Sequence, residues 1–225
     1  MAISILYCFD KKTIHITSHY GQEKCGNISL NICKNIKITD RKENEMILTF
    51  SECIEKYGSK YKIKKLISEG KLYQLEKGIY SEKKYVPEYQ IISTKFPKAI
   101  FTLNSAFYYH QLTDVIPDKY YLATGRGGSK INDERVIQIF ENSGALDFGA
   151  EMIAYGDAFI YMYNKERMLV ELLRNKNRLP FDYYKEILGN YRRIINDLDI
   201  PLIQDMAMDL PKSRMIMDAL QMEVF

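Results

Sequence analysis

The chain has 225 residues, a length that allows one or two domains and a sizeable hydrophobic core. Its 32 basic and 29 acidic residues give a net charge of +3, which is too small to indicate nucleic-acid binding by itself. Its apolar runs are shorter than a membrane span, and its first residues lack the features of a signal peptide. Its four cysteines have no paired spacing, which is typical of reduced thiols, so we expect a cytoplasmic protein with no membrane partner.

Residues 1–45 differ in composition from the rest of the chain, because short apolar patches alternate with polar stretches of no regular period. Three of the four cysteines lie here without the close C-x₂-C pair of a zinc site, so no metal is predicted. The triplet Arg41-Lys42-Glu43 back-translates to a purine-rich stretch like a ribosome-binding sequence, just before Met46. We expect translation to start at Met46 and residues 1–45 to be upstream read-through or a dispensable extension.

The next segment predicts two short helices and a hairpin. Phe50, Cys53 and Ile54 form the apolar stripe of a first helix, because they are spaced at i, i+3 and i+4. Gly58 is expected to end that helix, since glycine accepts the left-handed conformation required there. Ser59 is the expected N-cap of a second helix, in which its hydroxyl accepts from a free backbone amide.

The second predicted helix covers residues 60–69 and has one apolar face and one cationic face. Residues 72–75 and 79–80 read as the two strands of a hairpin that turns at Lys77-Gly78. Helix, turn, helix and hairpin together predict a winged helix-turn-helix over residues 46–85. The predicted DNA-contacting residues of this domain are Ser59, Lys60, Tyr61, Lys62, Lys64, Lys65 and Lys77.

The distribution of charge favours DNA over the alternative, in which these lysines form an ordinary solvated helix face. Residues 46–85 hold nine lysines and five glutamates, a net charge of +4, whereas residues 86–225 carry a net charge of −3. The positive charge is therefore concentrated in the predicted winged helix. Lysines that neutralise phosphates release condensed counterions, which is the main source of affinity for nucleic acid.

Residues 86–225 predict a second domain in which short strands come first and helices follow. Strands are expected near residues 100–102, 120–124, 136–140, 151–154 and 158–163, and helices at 88–95, 105–111, 165–174, 181–196, from 201, and at 212–222. Asn104 or Ser105 is the expected cap of the helix at 105–111, and Phe181 is expected in the core stripe of the helix that it begins. This order indicates an α+β domain with helices packed on a small mixed sheet.

Enzyme activity is not predicted for this chain. The GRGGSK sequence at 125–130 has glycines and a lysine, but a P-loop needs a longer spacing and a following helix. A loop between two strands is therefore the favoured interpretation, although Arg126 and Lys130 remain available to DNA or a partner. His110 is the only histidine after residue 45, and no spacing matches a nuclease or a nucleophilic triad. No cofactor, metal or catalytic residue is predicted.

Five segments resemble the AbiEi family of antitoxins, which belong to type IV toxin–antitoxin and abortive-infection systems. They are the winged helix at 50–80, FTLNSAFYYH at 101–110, LAT at 122–124, ERMLVEL at 166–172 and PKS at 211–213. Their order and spacing resemble the family over residues 46–225, about four-fifths of the chain.

The resemblance implies an antitoxin that also represses its own operon. The winged helix would bind operator DNA at inverted repeats in the promoter. Residues 86–225 would oppose a nucleotidyltransferase-like toxin without forming a stable complex with it. The alternatives are a regulator whose C-terminal domain senses a ligand or protein partner, and an interaction module whose winged helix binds protein.

Overall fold

The computed structural model describes residues 47–156 and 158–225, all of which lie in one unit of the fold. The expectations for residues 1–45 and for a start at Met46 concern residues outside this range. The described residues combine helices with two small sheets, so the predicted α+β class is confirmed.

A three-stranded antiparallel sheet and two helices make up the first part, which we call the winged element (residues 47–85). In chain order its elements are β1 (Ile47–Thr49), α1 (Phe50–Tyr57), α2 (Lys60–Ser68), β2 (Tyr73–Glu76) and β3 (Ile79–Ser81). The strand order is β1-β3-β2. The predicted helices and hairpin are present, and β1 is an additional strand that the sequence did not predict.

A small core fixes the two helices of the winged element against its sheet. It contains the buried residues Leu48, Cys53, Ile63, Leu72 and Tyr80. Cys53 of the apolar stripe predicted for α1 is fully buried, whereas Phe50 of the same stripe is 38% exposed. Its ring instead lies over the outer side of this core, 6.3 Å from the ring of Tyr80.

A five-stranded mixed sheet organises the second part of the chain. Its strands, with the short helices before and between them, are α3 (Glu88–Lys95), β4 (Ile100–Phe101), α4 (Leu103–Tyr109), β5 (Tyr120–Gly125), β6 (Val136–Glu141), α5 (Ser143–Leu146), β7 (Ala150–Tyr155) and β8 (Ala158–Tyr163). The strand order is β6-β5-β4-β8-β7, with β5 parallel to β6 and β4 parallel to β8.

The remainder of the chain is helical and packs with the sheet around a larger core. Its helices are α6 (Lys165–Arg174), α7 (Phe181–Ile194), α8 (Ile200–Asp209) and α9 (Ser213–Ala219), followed by a π-helical turn (Leu220–Val224). Two 3-10 turns, Lys176–Arg178 and Ile195–Asp197, flank α7. Two predictions for this part are wrong: α4 is preceded by Thr102 rather than capped by Asn104 or Ser105, and Phe181 is 68% exposed.

A buried ion pair between two residues of α6 lies in the larger core. The Arg167 side chain is fully buried, and its Nε donates to Oε1 of Glu171 at 2.9 Å, one turn along α6. Its Nη1 donates to the carbonyl of Ala145 at 3.0 Å, and its guanidinium lies 4.7 Å from the centre of the Tyr163 ring. Its Nη2 lies 2.9 Å from the same Glu171 oxygen without forming a hydrogen bond, so the buried charge is compensated by the ion pair and by the hydrogen bonds of Nε and Nη1. The bond from Nη1 ties α6 to α5.

The His110 side chain should make stability depend on pH. Its Nε2–H donates to the Tyr163 carbonyl at 2.7 Å, and burial lowers the pKa of the imidazole from 6.5 to about 4. As pH falls below 6.5, the unfolded chain gains a proton that the folded chain does not, so this contribution is lost between about pH 6.5 and 4.

We therefore expect urea unfolding to give a free energy about 1–2 kcal/mol lower at pH 5 than at pH 7 from this group. The control is His110→Gln, whose amide keeps a donor but does not titrate. Burial raises the pKa of Glu171, which acts in the opposite direction, so the two proteins must be compared at each pH. Equal pH dependence in both would contradict the assignment.

Candidate nucleic-acid interface

Helix α2 presents one face to the small core and the other to solvent. Ile63 is buried, and Leu66 and Ile67 pack against the same core. On the opposite side Tyr61 is 77% exposed, and Lys64 and Lys65 are also exposed. The structure therefore places the predicted contact residues of α2 on an outward-facing surface.

The start of α2 is fixed by a turn and a cap. Gly58 has a φ of +86°, a conformation that side chains disfavour, and its N–H donates to the carbonyl of Ile54 at 2.8 Å. The Ser59 Oγ then accepts from the backbone N–H of Lys62 at 3.3 Å. Ser59 is therefore an N-cap as predicted, and its own O–H remains available to donate to a phosphate.

The α2 lysines differ in how their charge is compensated. Lys65 lies 3.8 Å from Glu69, an exposed pair of small expected energy. Lys60, Lys62 and Lys64 form no ion pair with residues 47–156 or 158–225. Within the described part of the chain, these three charges are therefore free to face a polyanion.

Three of the five glutamates of the winged element, Glu52, Glu76 and Glu82, are engaged away from the outer face of α2, and Glu69 lies at the end of that helix. Glu52 closes a capping box with Thr49 at the start of α1, and Glu69 pairs with Lys71 at 2.9 Å at the end of α2. Glu82 accepts from Lys56 and from the Tyr57 hydroxyl, both at 2.7 Å. Glu76 pairs with two residues of the second part, and Glu55 is exposed on α1. This arrangement leaves the outer face of α2 predominantly positive.

The seventh predicted contact residue, Lys77, lies apart from the others at the turn between β2 and β3. It is exposed, and Gly78 beside it has a φ of +84° that suits the tight turn. The Gly78 carbonyl accepts from the N–H of Phe50 at 2.9 Å, which attaches the turn to the start of α1. We use the word wing for β2, this turn and β3.

The second part of the chain offers less to a functional site. The loop after β5 leads into β6 rather than a helix, and its Gly128 N–H donates to the Gly125 carbonyl at 2.8 Å, which is a turn and not a phosphate loop. Arg126 and Lys130 are exposed on it. Among the described residues there is no group of three or more potential metal ligands, and no helix is long and apolar enough to cross a membrane.

Comparison with known proteins supports the fold and no more. No family model matches the chain, and no curated protein matches it. Among solved structures, the RV2827C protein from Mycobacterium tuberculosis is similar, with a TM-score of 0.53 and 11% sequence identity over 85% of this chain and 76% of that one. At this identity the similarity shows a shared fold, and the AbiEi resemblance stays a prediction.

Sequence reasoning missed two features that position this surface. The Thr49–Glu52 capping box was present as a T-x-x-E spacing just before the apolar stripe of α1, which is a recognisable helix-start signal. Glu76 contacts Lys95 and Arg135, which are 19 and 59 positions away in the sequence. Contacts between residues so far apart leave no local sequence pattern from which they could be predicted.

The Ser59 cap predicts a stability effect that is separable from charge. Ser59→Ala should lower the free energy of unfolding by about 1 kcal/mol, because the amide of Lys62 loses its acceptor. Ser59→Asn keeps an accepting oxygen and should unfold close to the wild-type protein. Urea titrations of the full chain measure both, and an Ala variant as stable as the Asn variant would contradict the capping role.

Proposed function

We propose that the protein is a DNA-binding antitoxin that represses its own operon as part of a type IV toxin–antitoxin system. The observation that carries the DNA-binding part is the outer face of α2, where Lys60, Lys62 and Lys64 have no ion pair within the described residues and Tyr61 is exposed beside them. In this proposal the operator contains inverted repeats, each of which receives one α2.

Helix α2 supplies the two kinds of contact that operator recognition needs. Its lysines would neutralise phosphates and release counterions, which supplies affinity that falls with salt. Its first residues, Ser59 to Tyr61, lie at the helix N-terminus, from which side chains reach base edges in helix-turn-helix proteins. Unpaired backbone amides at the same end favour a phosphate. Lys77 would add a contact from the wing.

The antitoxin part of the proposal rests on the resemblance of residues 46–225 to the AbiEi family and on the net charge of residues 86–225. Residues 86–225 have a net charge of −3, so general attraction to nucleic acid does not account for this larger part of the chain. We propose that it opposes a nucleotidyltransferase-like toxin without a stable complex. DNA binding and antitoxicity would then depend on different residues of one chain.

Replacing Lys64 and Lys65 by alanine should weaken operator binding and lower the slope of log affinity against log salt by about 1 for each phosphate that is no longer neutralised. Fluorescence anisotropy with a labelled promoter fragment at several salt concentrations measures both quantities. The matched control is Lys98→Ala with Lys119→Ala, two exposed lysines of the second part, which removes the same charge. Equal effects of the two pairs of substitutions would show that net charge, and not α2, determines binding.

The same full-length K64A/K65A variant should still rescue cells from the cognate toxin when both are expressed from unrelated promoters. The reason is that its second part is unchanged, and the proposal assigns antitoxicity to that part. Growth after toxin induction is the measurement, with wild-type protein as the positive control. Failure to rescue by a folded variant that also no longer binds the operator would refute this division of labour.

A further inference from the structure

Five charged residues connect the wing to the second part of the chain. Arg135 donates through Nη2 to Asp133 at 2.8 Å and lies through Nη1 2.7 Å from Glu76 and 3.1 Å from Glu88. Lys95 bridges Asp133 at 2.6 Å and Glu76 at 3.0 Å. We call these five residues the Glu76 cluster.

Glu76 is the only member of this cluster that belongs to the winged element. Its two carboxylate oxygens bind different partners, Oε1 facing Arg135 and Oε2 facing Lys95. The register between β2 and β3 shifts by one residue between Gln74 and Glu76, as in a β-bulge. Bulges redirect a side chain, and here Gln74 is exposed whereas Glu76 reaches its two cationic partners.

The cluster is stronger than an ordinary surface pair because its centre is shielded from water. The Asp133 side chain is only 5% exposed, and Glu76, Lys95 and Arg135 are each about a quarter to a third exposed. Hydrogen bonds from Arg135 lower the pKa of both the Glu76 and the Asp133 carboxyl. Both are therefore ionised at neutral pH, and networks of partly buried charges contribute more than isolated exposed pairs.

We propose that the Glu76 cluster positions the wing, so that the second part of the chain sets the placement of Lys77 for contact with DNA. This inference rests on the proposed DNA-binding function and assigns Glu76 as a positioning residue. Lys77 is the next residue after Glu76, and the backbone between them carries any displacement of the cluster to the wing turn. The two cations of the cluster are shared among three carboxylates, so they offset the negative charge of Glu76 only in part.

The decisive variant is Glu76→Gln, because simple electrostatics and positioning predict opposite results. Removal of a negative charge beside Lys77 should strengthen binding to a polyanion if charge alone matters. Weaker attachment to Arg135 and Lys95 should instead reduce operator affinity about threefold to tenfold if the wing is misplaced. Glu55→Gln is the matched control, since it removes one charge from an exposed residue of α1 and leaves the cluster intact.

A double-mutant cycle tests whether Glu76 acts through Lys77. In a Lys77→Ala background, Glu76→Gln should cause little further decrease in affinity, because the side chain that it positions is already absent. A general destabilisation would instead add to the effect of Lys77→Ala. Tighter or unchanged binding by Glu76→Gln, or full additivity in the cycle, would overturn the inference.

Hydrogen exchange separates this inference from the proposed function. Amides of residues 73–81 should exchange faster in Glu76→Gln than in the wild-type protein and in Glu55→Gln, whether or not DNA is present. Unchanged exchange there would overturn the positioning role. Failure of the proposed function would appear elsewhere, as operator binding that K64A/K65A leaves unaltered.

Discussion

The winged element depends on support from outside itself, because its own core has five buried residues. So small a core leaves little hydrophobic free energy after the chain entropy of folding is offset. Helix α3 packs against β1 and β3, and the Glu76 cluster attaches β2 to the second part of the chain. The orientation of α2 is therefore a property of the larger fold, although every predicted DNA contact lies in the smaller part.

The larger part is organised by charge as well as by apolar packing. Arg174 forms ion pairs with two largely buried carboxylates, Glu171 at 2.8 Å and Glu141 at the end of β6. The ion pair of Arg174 with Glu141 joins α6 to β6, an edge strand of the five-stranded sheet, and the hydrogen bond from Arg167 joins α6 to α5. Removing a single partner would leave an uncompensated buried charge, which costs far more than the pair contributes, so the arrangement resists stepwise change.

Local signals predicted much of this fold, and features without local signals were missed. The bounds of α3 and α6 agree with the sequence because a proline limits one and capping residues limit the other. Strand β1 has three residues, too few to show a period, and Leu103 begins α4 with a φ of +41° that no propensity suggests. The α2 surface was predictable because its residues are contiguous, whereas the support of the wing by Lys95 and Arg135 depends on tertiary contacts.

The reactivity of the buried Cys53 thiol depends on the opening of the winged element. Burial raises the pKa of its thiol to about 11, so the reactive thiolate is scarce at neutral pH, and the side chain is inaccessible in the closed fold. The free sulfur sits among the residues that hold α1 and α2 together. Its modification by a thiol reagent therefore requires α1 to open, and the rate of that reaction at Cys53 reports how often the winged element opens.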